Sequence, residues 1–506
     1  MDTSPLLLLA ILPPLLQALA AAASPLGHRD AAWRRSEAAA LGATLAALAA
    51  LVAVLAGGPL AGFGLRLDAA GAVVGLLVGF VGWVIVRYSH RYLQGEPNER
   101  HYLRLLSLTL AAVWLVVSAD HLMLLAAAWV GTSLTLHRLL RFYADRPAAR
   151  LAAHKKFLSA RAADTALLAA VTLLGIAYGT LSLEAMLDRA ASQGVPPLAQ
   201  AGLVLLVVTA LLKCAQLPLH GWLIQVMEAP TPVSALLHAG VVNLGGLVLI
   251  RFAPLLAQAP AALVVLAAVA TLTVVLATLV TGTRISIKVA LAWSTVAQMG
   301  FMLLQVALGL PEMALLHLVA HSLYKAHAFL AAGSVVQRAQ ALRLAPVPTP
   351  SVGRWALAAL TVPATVVGAG VATGVLATPA AGLAGAVLGF ALVPLAAAGR
   401  LAAALAVALG WFAGHAAASW LVGPAAFDVS PTLVAATGLA LLLLFAIQAA
   451  IALSPGCSMV RRLHPIAFGG FYVDERVSRA LLALWPVPEA PASVPSLSSA
   501  PAGARS

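Results

Sequence analysis

Apolar stretches of membrane-spanning length recur fifteen times along this chain and leave little room for any other architecture. They lie near 5–23, 39–57, 71–86, 105–118, 122–140, 161–181, 200–218, 233–252, 261–281, 289–309, 313–335, 355–376, 383–399, 401–421 and 431–453. A helix needs roughly 17–25 such residues to cross the hydrocarbon core. With 62% hydrophobic and 9% charged residues over 506 positions, a soluble globular fold is excluded. The expected class is an all-α polytopic membrane protein of about 14–15 transmembrane helices. The first run carries Asp2, lacks a cationic flank and is interrupted by Pro13-Pro14, so it reads as an uncleaved span, not a signal peptide.

The arginines orient these runs. With the N-terminus outside, 22 of the 25 arginines fall in inner loops, and only Arg66, Arg189 and Arg251 fall outside. That asymmetry is the positive-inside pattern, which places the C-terminus in the cytoplasm and the chain in a cell inner membrane. The net charge of +13 therefore reports topology and contact with an anionic lipid bilayer, with no nucleic-acid partner. Cys214 and Cys457 are too few for a disulfide framework or a thiolate metal site.

Lysine is scarce, with five residues at 155, 156, 213, 288 and 325, yet Lys213 stands in LVLLVVTALLKCAQLPLHGW, after ten uncharged residues. An ionisable group at that depth marks function by default. Unlike arginine, lysine can release its proton where the surroundings disfavour charge. Downstream, Pro218, Pro230 and Pro232 flank Glu228 and lead to His238. Proline frees carbonyls and breaks helices, which is tolerated at membrane depth only where the backbone is buried in protein or faces water. A helix broken near Pro218 and lined by internal water is expected, with a kinked structural helix and a snorkelling Lys213 as the alternative.

A second cluster, HLVAHSLYKAHAFL, spaces His317, His321 and Lys325 by four residues, on one helical face. Imidazoles and an amine so aligned suit a proton relay, since histidine both donates and accepts near neutral pH. Hydrogen-bonded packing is the plain alternative. Zinc is the chemical rival, although no third ligand lies nearby in sequence. Lys288, Ser294, Thr295 and Gln298 add polar groups in TRISIKVALAWSTVAQMGFMLLQ, either as interhelical hydrogen bonds or as water sites. Asp164 is the acid placed to balance Lys213, while Asp120, Glu184, Asp188 and Glu312 read as solvated span ends.

The strings KCAQLPLHGWLIQVMEAPTPVSALLHAG, IKVALAWSTVAQMGFM and HLVAHSLYKAHAFLAAGSV resemble the core of the proton-conducting membrane transporter family. That family includes the antiporter-like subunits of respiratory complex I and of multisubunit sodium/proton antiporters. The resemblance covers roughly 100–340 and implies an antiporter-like fold. It also implies a proton pathway of Lys213, Asp164, His238, Lys288, His317, His321 and Lys325, to which the reading of the residues adds Glu228. It divides the chain into N-terminal transmembrane helices (1–104), a proton-conducting core (105–340), C-terminal transmembrane helices (341–453) and a cytoplasmic tail (454–506). In that tail FYVDERVSRALLALW has the spacing of an amphipathic interfacial helix, and the last twenty residues read as disordered.

Departures matter as well. Complex I members place a glutamate directly after the span-five tryptophan, where this chain reads Trp129-Val130-Gly131, and another lysine after the position of Lys325. They also carry a long lateral helix, which is not visible here. HAGVVNLGG, STVAQMGFMLLQ and the FYVDE tail most resemble membrane subunits of energy-coupled inorganic carbon transporters. That likeness implies a subunit that conducts protons or another cation, with no cofactor and no catalysis of its own. Its implied partner is a large zinc protein resembling a β-carbonic anhydrase that hydrates CO2 to bicarbonate. The alternatives are a proton-pumping subunit of an NADH-quinone oxidoreductase or sodium/proton antiporter, and a non-transporting scaffold.

Overall fold

The structure, a computed structural model, describes residues 5–143, 145–333, 351–423, 427 and 429–486. The N-terminal helices are α1 (Leu8–Ala23), α2 (Arg29–Gly57), α3 (Ala69–Tyr92), α4 (Glu99–Ser118) and α5 (Leu122–Leu140). There follow α6 (Pro147–Tyr178), the short α7 (Leu183–Gln193), α8 (Pro197–Lys213), α9 (Gly221–Gln225), α10 (Thr231–Ala239), α11 (Leu244–Arg251) and α12 (Ala253–Leu256). Next come α13 (Pro260–Thr281), α14 (Ile287–Ala307) and α15 (Pro311–Leu330). After them stand α16 (Val352–Ala372), α17 (Pro379–Ala397), α18 (Leu401–Val422), α19 (Pro431–Leu453), α20 (Ser458–Phe468) and α21 (Val473–Leu484).

Among the described residues twelve helical spans are long and apolar enough to cross a membrane, counting Thr231–Arg251 as one. The shorter α1 and α8 and the more polar α15 complete the fifteen expected runs. The chain is a multi-pass membrane protein. Pro13 and Pro14 do not interrupt α1, which runs helical through both. The proline-rich stretch 343–354 falls mostly, and the last twenty residues entirely, outside the described residues.

Two short strands qualify the all-α expectation. β1 (Leu60–Gly62) pairs antiparallel with β2 (Leu65–Leu67), joined by Phe63 and Gly64, both at positive φ, as a tight hairpin turn requires. The Gly64 carbonyl accepts from the backbone amides of Asp120 and His121, so the hairpin caps the start of α5. Asp120 is not a solvated span end. It is buried, and it accepts from Ser182 Oγ at 2.6 Å and from the Glu184 amide at 3.0 Å. Glu312 is also buried, again against the expectation.

The expected broken helix is present, and it starts at Cys214, where α8 stops. Its amides find partners despite the break. Gln216 N bonds the Leu211 carbonyl at 2.9 Å, and Leu217 N donates to Thr273 Oγ1 of α13 at 3.2 Å. The Gln216 side chain donates to the Cys214 carbonyl at 2.9 Å. Irregular backbone at membrane depth persists only with such satisfaction from neighbours.

A second break divides the run expected as one span at 233–252. The chain leaves α10 at Gly240, forms a single tight turn over Val241–Asn243 and resumes as α11. Asn243 Nδ2 donates to the Ala239 carbonyl at 3.2 Å and to Ser322 Oγ of α15 at 2.7 Å. α11 lies directly against the end of α8. A Cβ at Gly245 would sit 2.5 Å from Cys214 Sγ and 3.1 Å from the Ala210 carbonyl oxygen, so only glycine permits this approach of small surfaces.

Candidate functional site

Lys213, the last residue of α8, projects into the bundle toward α5 and α6. Its side chain and that of Asp164 are each 7% exposed, with Nζ 2.7 Å from Oδ1. Nζ also donates to Ser133 Oγ at 3.1 Å and to the Trp129 carbonyl at 3.3 Å. The three ammonium hydrogens thus meet three acceptors. The Trp129 ring lies 5.0 Å from the same nitrogen, adding a cation–π contact.

Asp164 serves two cations, for Arg161, one turn earlier on α6, pairs with its other carboxylate oxygen. Arg161 is about one-third exposed, so it reaches toward water while Lys213 does not. Val130 follows Trp129 on α5, so the acid beside Lys213 comes from α6. Lys156 of α6 donates to the carbonyl of Ser133. A cavity of about 30 Å3 lies among Trp129, Ser133, Lys156, Ser159, Lys213 and Trp222, enough for about one or two ordered waters.

The histidine helix forms a second grouping. His317 Nδ1 is 3.1 Å from Gln305 Oε1 of α14, and the rings of His317 and His321 stand 6.0 Å apart. Lys325, fully buried, donates to Ser294 Oγ and to the Leu291 carbonyl, both at 2.9 Å. His238 stacks on Phe329 of α15 with centroids 4.4 Å apart. Both of its ring nitrogens lack a hydrogen-bond partner among the described residues. His317 opens onto a cavity of about 480 Å3 between α13–α15 and α17–α19, bordered also by Gln298, Gln305, Trp411 and Gln448.

Two sequence candidates stand apart. Lys288 Nζ donates to Thr231 Oγ1 at 3.0 Å, at the start of α10. Glu228 is 42% exposed, with Arg146 at 3.7 Å. It does not join the buried groups, because its side chain turns outward to Arg146 while Val226 and Ala229 beside it are buried. The sequence reading missed Ser133, Lys156, Arg161, Gln305 and Asn243. Only Lys156 and Arg161 carried a visible signal, in the basic start of α6. The rest are small polar residues inside apolar runs.

The fold is that of the antiporter-like membrane proteins, and residues 119–346 match the NADH:quinone oxidoreductase/Mrp antiporter transmembrane family. Among individual proteins, the chain is 52% identical over 294 residues to the probable inorganic carbon transporter subunit DabB of Hydrogenovibrio crunogenus, covering 58% of this chain and 57% of that one. It is 48% identical over 287 residues to DabB2 of Halothiobacillus neapolitanus, described in the same terms, covering 56% and 52%. It is 36% identical over 279 residues to NADH-quinone oxidoreductase subunit L of Escherichia coli, covering 54% and 45%. The chain spans about half the length of the curated relatives it matches. Among solved structures, the Mrp complex from Dietzia sp. DQ12-45-1b superposes with a TM-score of 0.59 at 24% identity, over 95% of this chain and 57% of that one. The archaeal membrane-bound sulfane sulfur reductase gives 0.60 at 21% identity, over 94% and 100%.

Proposed function

We propose that this chain is the membrane subunit of an energy-coupled inorganic carbon (CO2/bicarbonate) uptake complex, the counterpart of DabB. In this reading it conducts protons or another cation across a cell inner membrane, with its N-terminus outside and its C-terminus cytoplasmic. It thereby drives a DabA-like, zinc-containing, carbonic-anhydrase-like partner. The observation that carries the reading is the buried Lys213–Asp164 pair beside a broken helix.

The mechanism follows from the two cations that share Asp164. With Asp164 on Lys213, the ammonium is fully satisfied and keeps its proton. When the carboxylate moves toward Arg161, Lys213 keeps only neutral acceptors in a buried site, which favours release of the proton. Lys325, His321, His317 and His238 then supply titratable stations, and Lys288 a further cation near the start of α10. Glu228 has no step here. The membrane potential contributes about 2.3 kcal/mol per charge per 100 mV, about a 50-fold bias on a coupled reaction.

The identities favour carbon uptake over quinone chemistry, being 52% to the first relative and 36% to the respiratory one. Purification of the full chain with its bound partner tests this reading. A zinc-containing soluble protein, whose activity falls when Lys213 or His321 is neutralised, is the expected result. Copurified flavin and iron–sulfur subunits indicate the respiratory alternative, and unchanged partner activity in those variants indicates a scaffold.

A further inference from the structure

The helix α21 is amphipathic, yet it does not simply float beside the bundle. Asp474, in its first turn, points into the protein, where Oδ2 accepts from Lys155 Nζ of α6 at 3.2 Å and from Gln225 Nε2 of α9 at 3.0 Å. Oδ1 accepts from Ser478 Oγ at 3.1 Å. The carboxylate lies directly on Gly221, where a Cβ would fall 1.5 Å from Oδ1. Gly221 is the first residue of α9, immediately past the break that follows Lys213. Lys155 is 7% exposed and Asp474 23%, so the pair straddles the boundary between interior and solvent.

Two more clasps hold the same segment. Arg284, between α13 and α14, donates to the carbonyls of Ala467 and Phe468 at the end of α20, and its guanidinium lies 5.2 Å from the Phe468 ring centroid. At the far end, the His154 ring nitrogen is 3.0 Å from the Trp485 carbonyl. α20 and α21 thus cross the arginine-rich end of the bundle as a strap pinned at three places, with its one inward acid over the broken segment.

Adjacent lysines on α6 join this strap to the buried site. Lys156 turns to Ser133, which also holds Lys213, and Lys155 turns to Asp474. A movement of Asp474 is therefore felt one residue from the Lys213 cluster.

We propose that Asp474 is a positioning residue that latches the α20–α21 strap over the arginine-rich mouth of the broken helix, keeping the Lys213 site closed to bulk water until the strap is displaced. The proposal rests on the proton-pathway reading above. Removing Asp474 leaves the Lys155 ammonium largely buried without its counter-charge, which favours its movement into water and loosens α9. The groups facing the latch are Lys155, Gln225, Ser478 and His220, the last buried beside Gly221.

The test is the decay of an imposed pH gradient in membrane vesicles containing the full chain and its native partners. Asp474→Ala is expected to speed the decay several-fold, as is Gly221→Ala, which displaces the carboxylate while retaining it. Adding Lys213→Ala to either is expected to return the decay to the parental rate. The Lys155→Asp/Asp474→Lys exchange is expected to restore the seal. Unchanged decay in Asp474→Ala, or faster decay that persists without Lys213, overturns the latch. If Asp474→Ala does not reach the membrane, Gly221→Ala and the exchange decide by the same criteria. Failure of the underlying reading shows separately, as undiminished partner activity in Lys213→Ala alone.

Discussion

At the residue scale the centre of the site is a buried base, Lys213, held by the acid Asp164, and the two are worth more together than apart. Asp164→Ala strands a buried ammonium, and breaking such a pair costs about 3–5 kcal/mol. It is expected to lower the unfolding midpoint of the purified protein sharply. Lys213→Met combined with Asp164→Leu is expected to recover most of that loss, because apolar replacement of both partners removes the desolvation cost, while transport stays absent. A double variant no more stable than Asp164→Ala contradicts the geometry. The burial of Lys213 was legible because a lone lysine follows ten uncharged residues in an apolar run. The pairing itself was not, since 49 residues separate the partners and arithmetic on a sequence does not show which acid a lysine meets.

At the scale of elements, interruptions matter more than helices. The break after Lys213 was readable from its prolines. The break at Gly240–Asn243 was not, because HAGVVNLGG keeps an apolar average and its Asn243 finds a partner, Ser322, 79 residues away. Thr273 supplies the side-chain acceptor for the Leu217 amide, so Thr273→Val is expected to cost about 1–3 kcal/mol through an unsatisfied buried donor. Thermal unfolding in detergent measures it, and an unchanged midpoint denies Thr273 that part. The tail helix was readable as amphipathic, but its pattern predicts a water–lipid boundary equally well as a protein face. Its contact with α6 spans 319 residues of sequence and has no local signature.

At the scale of the whole molecule, hydropathy alone located helix in each of the fifteen runs, although the run at 233–252 holds two helices, since the bilayer admits few alternatives. The hairpin of β1 and β2 escaped because strands of three residues carry almost no periodicity. Arginine asymmetry makes a further statement. A cysteine in the loop between α5 and α6 is expected to react only from the cytoplasmic side, and one at Gly194 only from outside, with membrane-impermeant reagents. The reverse labelling inverts the proposed direction of cation flow, and labelling of both sites from one side breaks the topology.

The most direct test of the central claim is gradient-driven activity in Lys213→Arg, assayed in vesicles with the partner bound. Arginine preserves the charge, and with it an ion pair to Asp164, but practically never gives up its proton. The account predicts that the complex assembles in normal amounts while gradient-dependent turnover is lost by at least about tenfold, the equivalent of about 1.4 kcal/mol on the rate-limiting barrier. Full turnover with arginine in place contradicts it, because the cation would then be needed only for its charge.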